Sequence, residues 1–325
     1  MSSSLRARGR HLCGLLVAIM ALSALAFAPA AGATRPGSTY LALGDSLAYG
    51  YQGAKFTSQI PNVNPASFNT GYVDDFAKYL KLLNRNLTTI NDGCPGETTD
   101  SYLNGGPVPG TCATGAGFPA FWLHHPYGGS QKADALAILA ANPNVNPITI
   151  DLGANDVLGF LRSCGFPAPS ATPCIAAGLP GLYGHIASNM GTIVGQLRAA
   201  APTKEIVVLG IYNPFPAVIQ PPLPGGDQLI GQLNGLIKQV VTSPGLGAKF
   251  GDPVPLFNPS TNTAGAPETN DIPAICAFTF MCPGPTSASN PFGYNPASPA
   301  ADIHATNVGY AVLAGVVGAA STMRP

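Results

Sequence analysis

Short β-branched apolar runs alternate with longer stretches of helical periodicity along most of the chain. The runs at 39–43, 87–90, 148–152, 206–211 and 254–257 read as strands. Helical spacing of apolar residues covers 73–83, 130–141, 182–200, 227–241 and 306–321, with Ser130 positioned to cap the second of these. The strands at 148–152 and 206–211 are apolar almost throughout, as strands buried on both faces are. Strands separated by helices predict a parallel sheet covered on both sides. Five of them fit an α/β, flavodoxin-like three-layer α/β/α sandwich with a central parallel sheet in the order 2-1-3-4-5. Four connections are long: 51–70, 104–129, 162–180 and 258–299. Such loops in a compact domain carry function or are disordered.

The N-terminus stands apart from this pattern. Arg6, Arg8 and Arg10 precede an apolar run of about 15 residues, too short to span a bilayer, and Ala31-Gly32-Ala33 offers a small-residue cleavage site. Residues 1–33 therefore read as a cleaved Sec-type signal peptide, 34–325 as a single domain, and the mature protein as secreted with no integral membrane anchor. Six cysteines remain after cleavage: Cys94, Cys112, Cys164, Cys174, Cys276 and Cys282. An even number in an exported chain implies disulfides. The six fall into three close couples, which gives the pairing Cys94–Cys112, Cys164–Cys174 and Cys276–Cys282.

Composition narrows the partners. Only 9% of the 325 residues are charged, against roughly 25% in an average domain, while 46% are hydrophobic. Fifteen basic residues balance 15 acidic ones, and no basic run marks a nucleic-acid surface. Cleavage would leave a net charge of about −3. No CxxC occurs and the four mature histidines are scattered, so no metal is expected.

Ligands of such a sheet bind beyond the carboxyl ends of the strands, which directs attention to the residues that follow each strand. Gly44-Asp45-Ser46-Leu47 follows the first. Asn91 and Cys94-Pro95-Gly96-Glu97-Thr98 follow the second, and Gly153-Ala154-Asn155-Asp156 the third. Asp302-Ile303-His304 precedes the last helix. One edge of the sheet thus gathers a hydroxyl nucleophile, a glycine N–H, an amide donor, and an imidazole with a carboxylate beside it. Each has a plainer reading: Ser46 as a helix cap, Gly96 as a turn residue, Asn155 as a loop cap, His304 and Asp302 as surface groups. His124 and His125 form a rival base in the 104–129 loop, with no acid near them in sequence.

Together these segments resemble the GDSL or SGNH hydrolases. Leu43-Gly44-Asp45-Ser46-Leu47, Gly96, Gly153-Ala154-Asn155-Asp156 and His304 match that family's blocks in order, and His304-Ala305-Thr306-Asn307-Val308-Gly309-Tyr310 is similar to its His-Pro-Thr-x-x-Gly-Tyr with Ala305 replacing the proline. The likeness runs from about 39 to 321. It implies the SGNH hydrolase fold and ester hydrolysis without cofactor: Ser46 as nucleophile, His304 as base, and Ser46 N–H, Gly96 N–H and the Asn155 amide as oxyanion hole. Asp45 and Asp156 then read as structural acids that tie loops together. The family's acid usually lies three residues before the histidine. Here that position is Ala301, and Asp302 lies two before. Residues i and i+2 of an extended stretch share a side, so either Asp302 orients His304 or a backbone carbonyl does.

Substrate class is open at this level. Val157, Leu158, Phe160 and Leu161 after the asparagine, and Ile275, Phe278, Phe280, Met281 and Phe292 before the histidine, either line an acyl groove or pack the core. The expectation is a carboxylesterase or lipase, acting as a monomer on a small-molecule or lipid ester. The alternatives are a polysaccharide or other O-acetyl esterase, for which Trp122 would be the sugar platform, and a non-catalytic secreted binding protein on the same scaffold.

Overall fold

The computed structural model describes residues 34–106, 111–112, 118–218 and 225–324. The signal peptide expected at 1–33 lies outside them.

Five parallel strands form the central sheet: β1 (Thr39–Gly44), β2 (Thr88–Asn91), β3 (Val145–Asp151), β4 (Ile206–Leu209) and β5 (Lys249–Gly251), ordered β2-β1-β3-β4-β5. This is the predicted 2-1-3-4-5 order. Leu41 pairs with Ile90 on one side and with Ile148 on the other, and Gly44 pairs with Asp151 at the carboxyl end. Strand alternation sorts the side chains into two cores. Leu41, Leu43, Ile148, Ile150, Ile206 and Val208 face helices α4 (Gln131–Ala141), α6 (Thr172–Ala200) and α7 (Gly226–Val241). Tyr40, Ala42, Val207 and Leu209 face α2 (Tyr72–Leu83) and α8 (Asn307–Ala320). A third cluster, rich in aromatic residues, packs Tyr49, Phe56, Phe68, Phe118 and Leu123 beneath the loops. Trp122 belongs to that cluster, edge-on to Phe56 and Phe118.

Several elements differ from expectation: Ala154–Ser163 is a helix, and the connections 51–70 and 258–299 hold the helices Gly53–Thr57 and Ile272–Phe278. Residues 254–257 form a helical turn, Val254–Phe257, and not a strand; β5 lies just before it. Pro253 and Pro255 have no N–H to give a ladder, while Asp252 Oδ1 accepts from Val254 N at 3.1 Å and starts the turn. The long helix begins at Thr172 and not at 182, so the expected 162–180 loop shrinks to 164–171. It runs through Pro180, at a typical cost of about 3 kcal/mol. Ile175 and Leu179 on the additional turns are buried against the core, each contributing roughly 1.5–3 kcal/mol, which offsets that cost.

The cysteines pair as the sequence couples suggest: Cys94–Cys112, Cys164–Cys174 and Cys276–Cys282. Among the described residues, no helix is long and apolar enough to cross a membrane.

Candidate active site

β1 ends in a turn that only its sequence permits. Gly44 has φ +134°, and a Cβ there would lie 2.3 Å from Asp151 Oδ1. Its backbone is held on both sides by one amide: Gly44 N donates to Gln131 Oε1 at 2.7 Å, and Gln131 Nε2 donates to Gly44 O at 2.9 Å. Asp45 caps the short helix α1 (Ser46–Tyr49), accepting from Leu47 N at 2.9 Å. Ser46, the first residue of α1, is 8% exposed at the floor of a cleft.

The partner groups arrive from β6 (Asp302–Ala305), which pairs antiparallel with Thr279–Phe280. Being extended, β6 turns Asp302 and His304 to the same side. His304 Nε2 lies 2.9 Å from Ser46 Oγ, and His304 Nδ1 bonds to Asp302 Oδ1. The other carboxylate oxygen, Oδ2, accepts from Gly53 N at 2.7 Å, and Tyr51 lays its ring 4.6 Å from the imidazole. Burial alone would raise the Asp302 carboxyl; the bond and charge of His304, with the Gly53 and His304 N–H groups, hold it below its ordinary range. Asp302 therefore stays ionised beside the imidazole. With Nδ1–H donating to it, Nε2 is left to accept from Ser46.

Asn155 opens α5 (Ala154–Ser163) and lines the same cleft as Ser46 and His304. Its Nδ2 donates to Glu97 O at 3.0 Å and to Asp45 Oδ2 at 3.2 Å. Gly96, at φ +88°, stands in the turn after β2, which Cys94 N ties to Gly44 O at 3.0 Å. Gly96 is thus beside the Ser46 turn, although it does not line the cleft. Beneath the turn, Asp45 and Asp151 are buried together. Desolvation and the neighbouring Asp45 charge push Asp151 well up, and Tyr72 donates to it at 2.7 Å. Asp156 takes Thr99 N and Thr99 Oγ1, fixing α3 (Thr99–Asn104) to α5.

From Ser46 an apolar cavity of about 80 Å³ runs between α5, α6 and α7. Leu158, Leu161, Leu179, Tyr183, Leu229 and Ile230 form its walls. Of the run after Asn155, Val157, Leu158 and Leu161 line it, Leu161 being a core residue as well and Val157 packing against that core. Phe160 instead packs against the core beside Gly178. Ile275 and Met281 are core residues on the opposite face, Phe278 packs against that core, and Phe280 and Phe292 are exposed.

Sequence reasoning missed Gly53, Tyr51 and Gln131. Gly53 acts through a backbone N–H and leaves no side-chain signal. Gln131 is fully buried at the start of α4, and a polar residue on that helix's inner face was the available clue. The rival histidines also need correction. His124 Nε2 is taken up by Tyr49 O at 2.9 Å, whereas His125 Nδ1 lies 2.8 Å from Asp92 Oδ1 and 3.2 Å from Asp134 Oδ2. His125 therefore does have acids beside it, contributed by distant parts of the chain.

Comparison with known proteins adds to this geometry. The model of the GDSL-like lipase/acylhydrolase family matches residues 42–312. Among solved structures, phospholipase A1 from Streptomyces albidoflavus superposes with a TM-score of 0.51 at 15% identity, covering 88% of this chain and 100% of that one. A lipase from a goat rumen metagenome gives 0.49 at 18% identity, covering 88% and 98%, and an extracellular lipase from Streptomyces rimosus 0.49 at 16%, covering 87% and 100%. At these identities the likeness is one of fold. A curated protein, transcription factor HES-4-B of Xenopus laevis, is 23% identical over 179 residues, which is 50% of this chain and 62% of that protein's length. So short and dissimilar a match transfers no property of that protein.

Proposed function

The chain belongs to the GDSL-like lipase/acylhydrolase family, a family of ester hydrolases, and on that premise we propose that it is a secreted serine carboxylesterase or lipase cleaving acyl esters. The observation that carries the reading is the continuous relay from Ser46 Oγ through His304 to Asp302 at the mouth of an apolar cavity. His304 Nε2 takes the Ser46 proton as Oγ attacks the ester carbonyl. The negative charge that develops on the carbonyl oxygen is met by the N–H groups of Ser46 and Gly96 and by Asn155 Nδ2, which exchanges one of its two resting bonds for this one. The imidazolium, stabilised by ionised Asp302, then protonates the leaving alcohol. Water, deprotonated by the same Nε2, releases the acid and restores Ser46.

The cavity supports the substrate class. Its walls are almost wholly apolar and it opens at Ser46, which suits the hydrocarbon part of an ester. Each buried methylene contributes about 0.8 kcal/mol, so an octanoyl chain gains up to about 5 kcal/mol over acetyl. Export is part of the same proposal, supported by three disulfides, which persist in oxidising compartments. Sequencing the secreted chain tests it, with Thr34 expected as first residue.

The decisive assay is hydrolysis of p-nitrophenyl esters of two to sixteen carbons. kcat/KM is expected to rise as the acyl chain lengthens beyond acetyl, and Ser46→Ala to lose at least about 10³-fold in kcat. Faster turnover of acetylated xylan or pectin than of the octanoyl ester would move the assignment to polysaccharide deacetylation. A flat profile from folded protein would favour a binding role.

A further inference from the structure

Away from the Ser46 cleft, three distant parts of the chain bring a second polar cluster together. Asp92 follows β2 and is completely buried, His125 lies in the segment after Phe118–Pro119, and Asp134 is in the first turn of α4. One ligating atom from each lies within 4.8 Å of the other two. His125 Nδ1 meets Asp92 Oδ1 at 2.8 Å and Asp134 Oδ2 at 3.2 Å. Each residue is spoken for only in part. Asp92 Oδ2 is buried with no hydrogen-bond partner among the described residues, as is the hydroxyl of Tyr102, which α3 brings within electrostatic reach of Asp92, while Asp134 Oδ2 has only its contact with His125. A buried carboxylate oxygen without a donor is costly. No salt bridge from a lysine or arginine reaches either carboxylate among the described residues.

We propose that Asp92, His125 and Asp134 form a binding site for a divalent transition-metal ion of the zinc type. The donor set selects the class. An imidazole nitrogen with two carboxylates suits Zn²⁺, whereas Ca²⁺ takes six to eight oxygens and Mg²⁺ six in an octahedron. The spacing agrees: ligands about 2.0–2.1 Å from a tetrahedral ion stand roughly 3.3 Å apart, close to the two distances around His125 Nδ1. Binding uses the Nδ1 lone pair of the neutral imidazole, with its proton on Nε2, and a dipositive ion cancels both carboxylate charges. The absence of metal-ligand spacing in the sequence does not bear on this site, because the fold assembles it from residues 33 and 9 positions away from His125.

The site would be structural. Asp92 precedes Cys94 by two residues and Gly96 by four, so the ion would fasten the His125 segment and α4 to the turn that carries Gly96. The test uses tag-free full-length protein, stripped with chelator, dialysed, loaded with ZnSO4 and gel-filtered at pH 7.5. Metal analysis should find about one zinc per chain in the wild type and below about 0.2 in His125→Ala and Asp92→Asn. Zinc should also raise the melting temperature of the wild type and not of the variants. Cobalt loading of the wild type should give the visible absorption of a four-coordinate ion, a readout that survives if a variant fails to fold. Less than about 0.2 zinc per chain in wild type that is folded by circular dichroism would overturn the site, leaving a buried histidine–carboxylate cluster. Undiminished zinc in folded His125→Ala would do the same.

Discussion

The molecule holds two histidine–aspartate constellations, and they differ in what surrounds the contact. His304 and Asp302 lie two residues apart on one strand, and the ring nitrogen facing away from the acid meets the Ser46 hydroxyl at the rim of an apolar cavity. At His125 a single ring nitrogen faces two carboxylates from distant segments, one of them wholly buried. The first arrangement lines up a hydroxyl, an imidazole and a carboxylate; the second gathers two carboxylates around one ring nitrogen. A histidine beside an aspartate is thus no signature of catalysis in itself. The group facing the second nitrogen, and the cavity beside it, make the difference.

Removing each imidazole tests the contrast most severely. His304→Ala should lower kcat by at least about 10³-fold while leaving the melting temperature near that of the wild type. His125→Ala should instead lower the melting temperature of zinc-loaded protein. A loss below tenfold in His304→Ala would erase the distinction.

Asp302→Asn sharpens it further. The amide cannot hold Nδ1–H in the tautomer that leaves Nε2 free, so a fall of about 10³- to 10⁴-fold in kcat is expected, with KM little changed. If a backbone carbonyl orients the ring, the fall will be less than tenfold.

Gly53→Ala asks how tightly the acid is held. The added Cβ would lie 2.9 Å from Asp302 Oδ2 and displace the carboxylate. A loss of about 10- to 100-fold in kcat, at nearly constant KM, is expected. Wild-type turnover would show that the Gly53 N–H bond is dispensable.

The smallest effect concerns the ground beneath the nucleophile turn. Burial, with the Asp45 charge adding to it, pushes Glu97 up to about 7 from 4.5 against the bonds from Ser101, Tyr127 and Gln131. The folded state therefore keeps this proton longer than the unfolded chain does. The stability it contributes is complete below about pH 4.5 and is lost as pH rises through about 7, roughly 3 kcal/mol at most. Glu97→Gln should flatten the fall in melting temperature between pH 5 and 8 by about 5 °C. Asp227, also raised to about 7, keeps part of the slope. An unchanged slope in Glu97→Gln would remove Glu97 from it.

What could be read in the sequence divides along the same line as the two constellations. Strand order and the residues that converge on Ser46 were legible because alternation marks the strands and the chemistry follows strand ends within a few positions. Asp302 could be related to His304 because extended backbone fixes where i and i+2 point. Pro180 obscured the first turns of α6, since local propensity argues against a helix that burial of Ile175 and Leu179 upholds. The 254–257 run looked like a strand by composition while its prolines denied it a ladder. Asp92, His125 and Asp134 share no spacing, and Gly53 contributes only backbone, so no pattern along the chain could announce either.

The cavity walls have a consequence for how this protein could change over generations. Leu161, Leu179, Leu229 and Ile230 line the cavity beside Ser46, where the proposed acyl chain would lie, and also belong to the core that holds one face of the sheet. Trimming one such side chain to alanine, to admit a longer acyl chain, typically costs 2–5 kcal/mol of the 5–15 that keep a domain folded. Lineages of this enzyme can therefore broaden their diet only as far as their stability reserve allows.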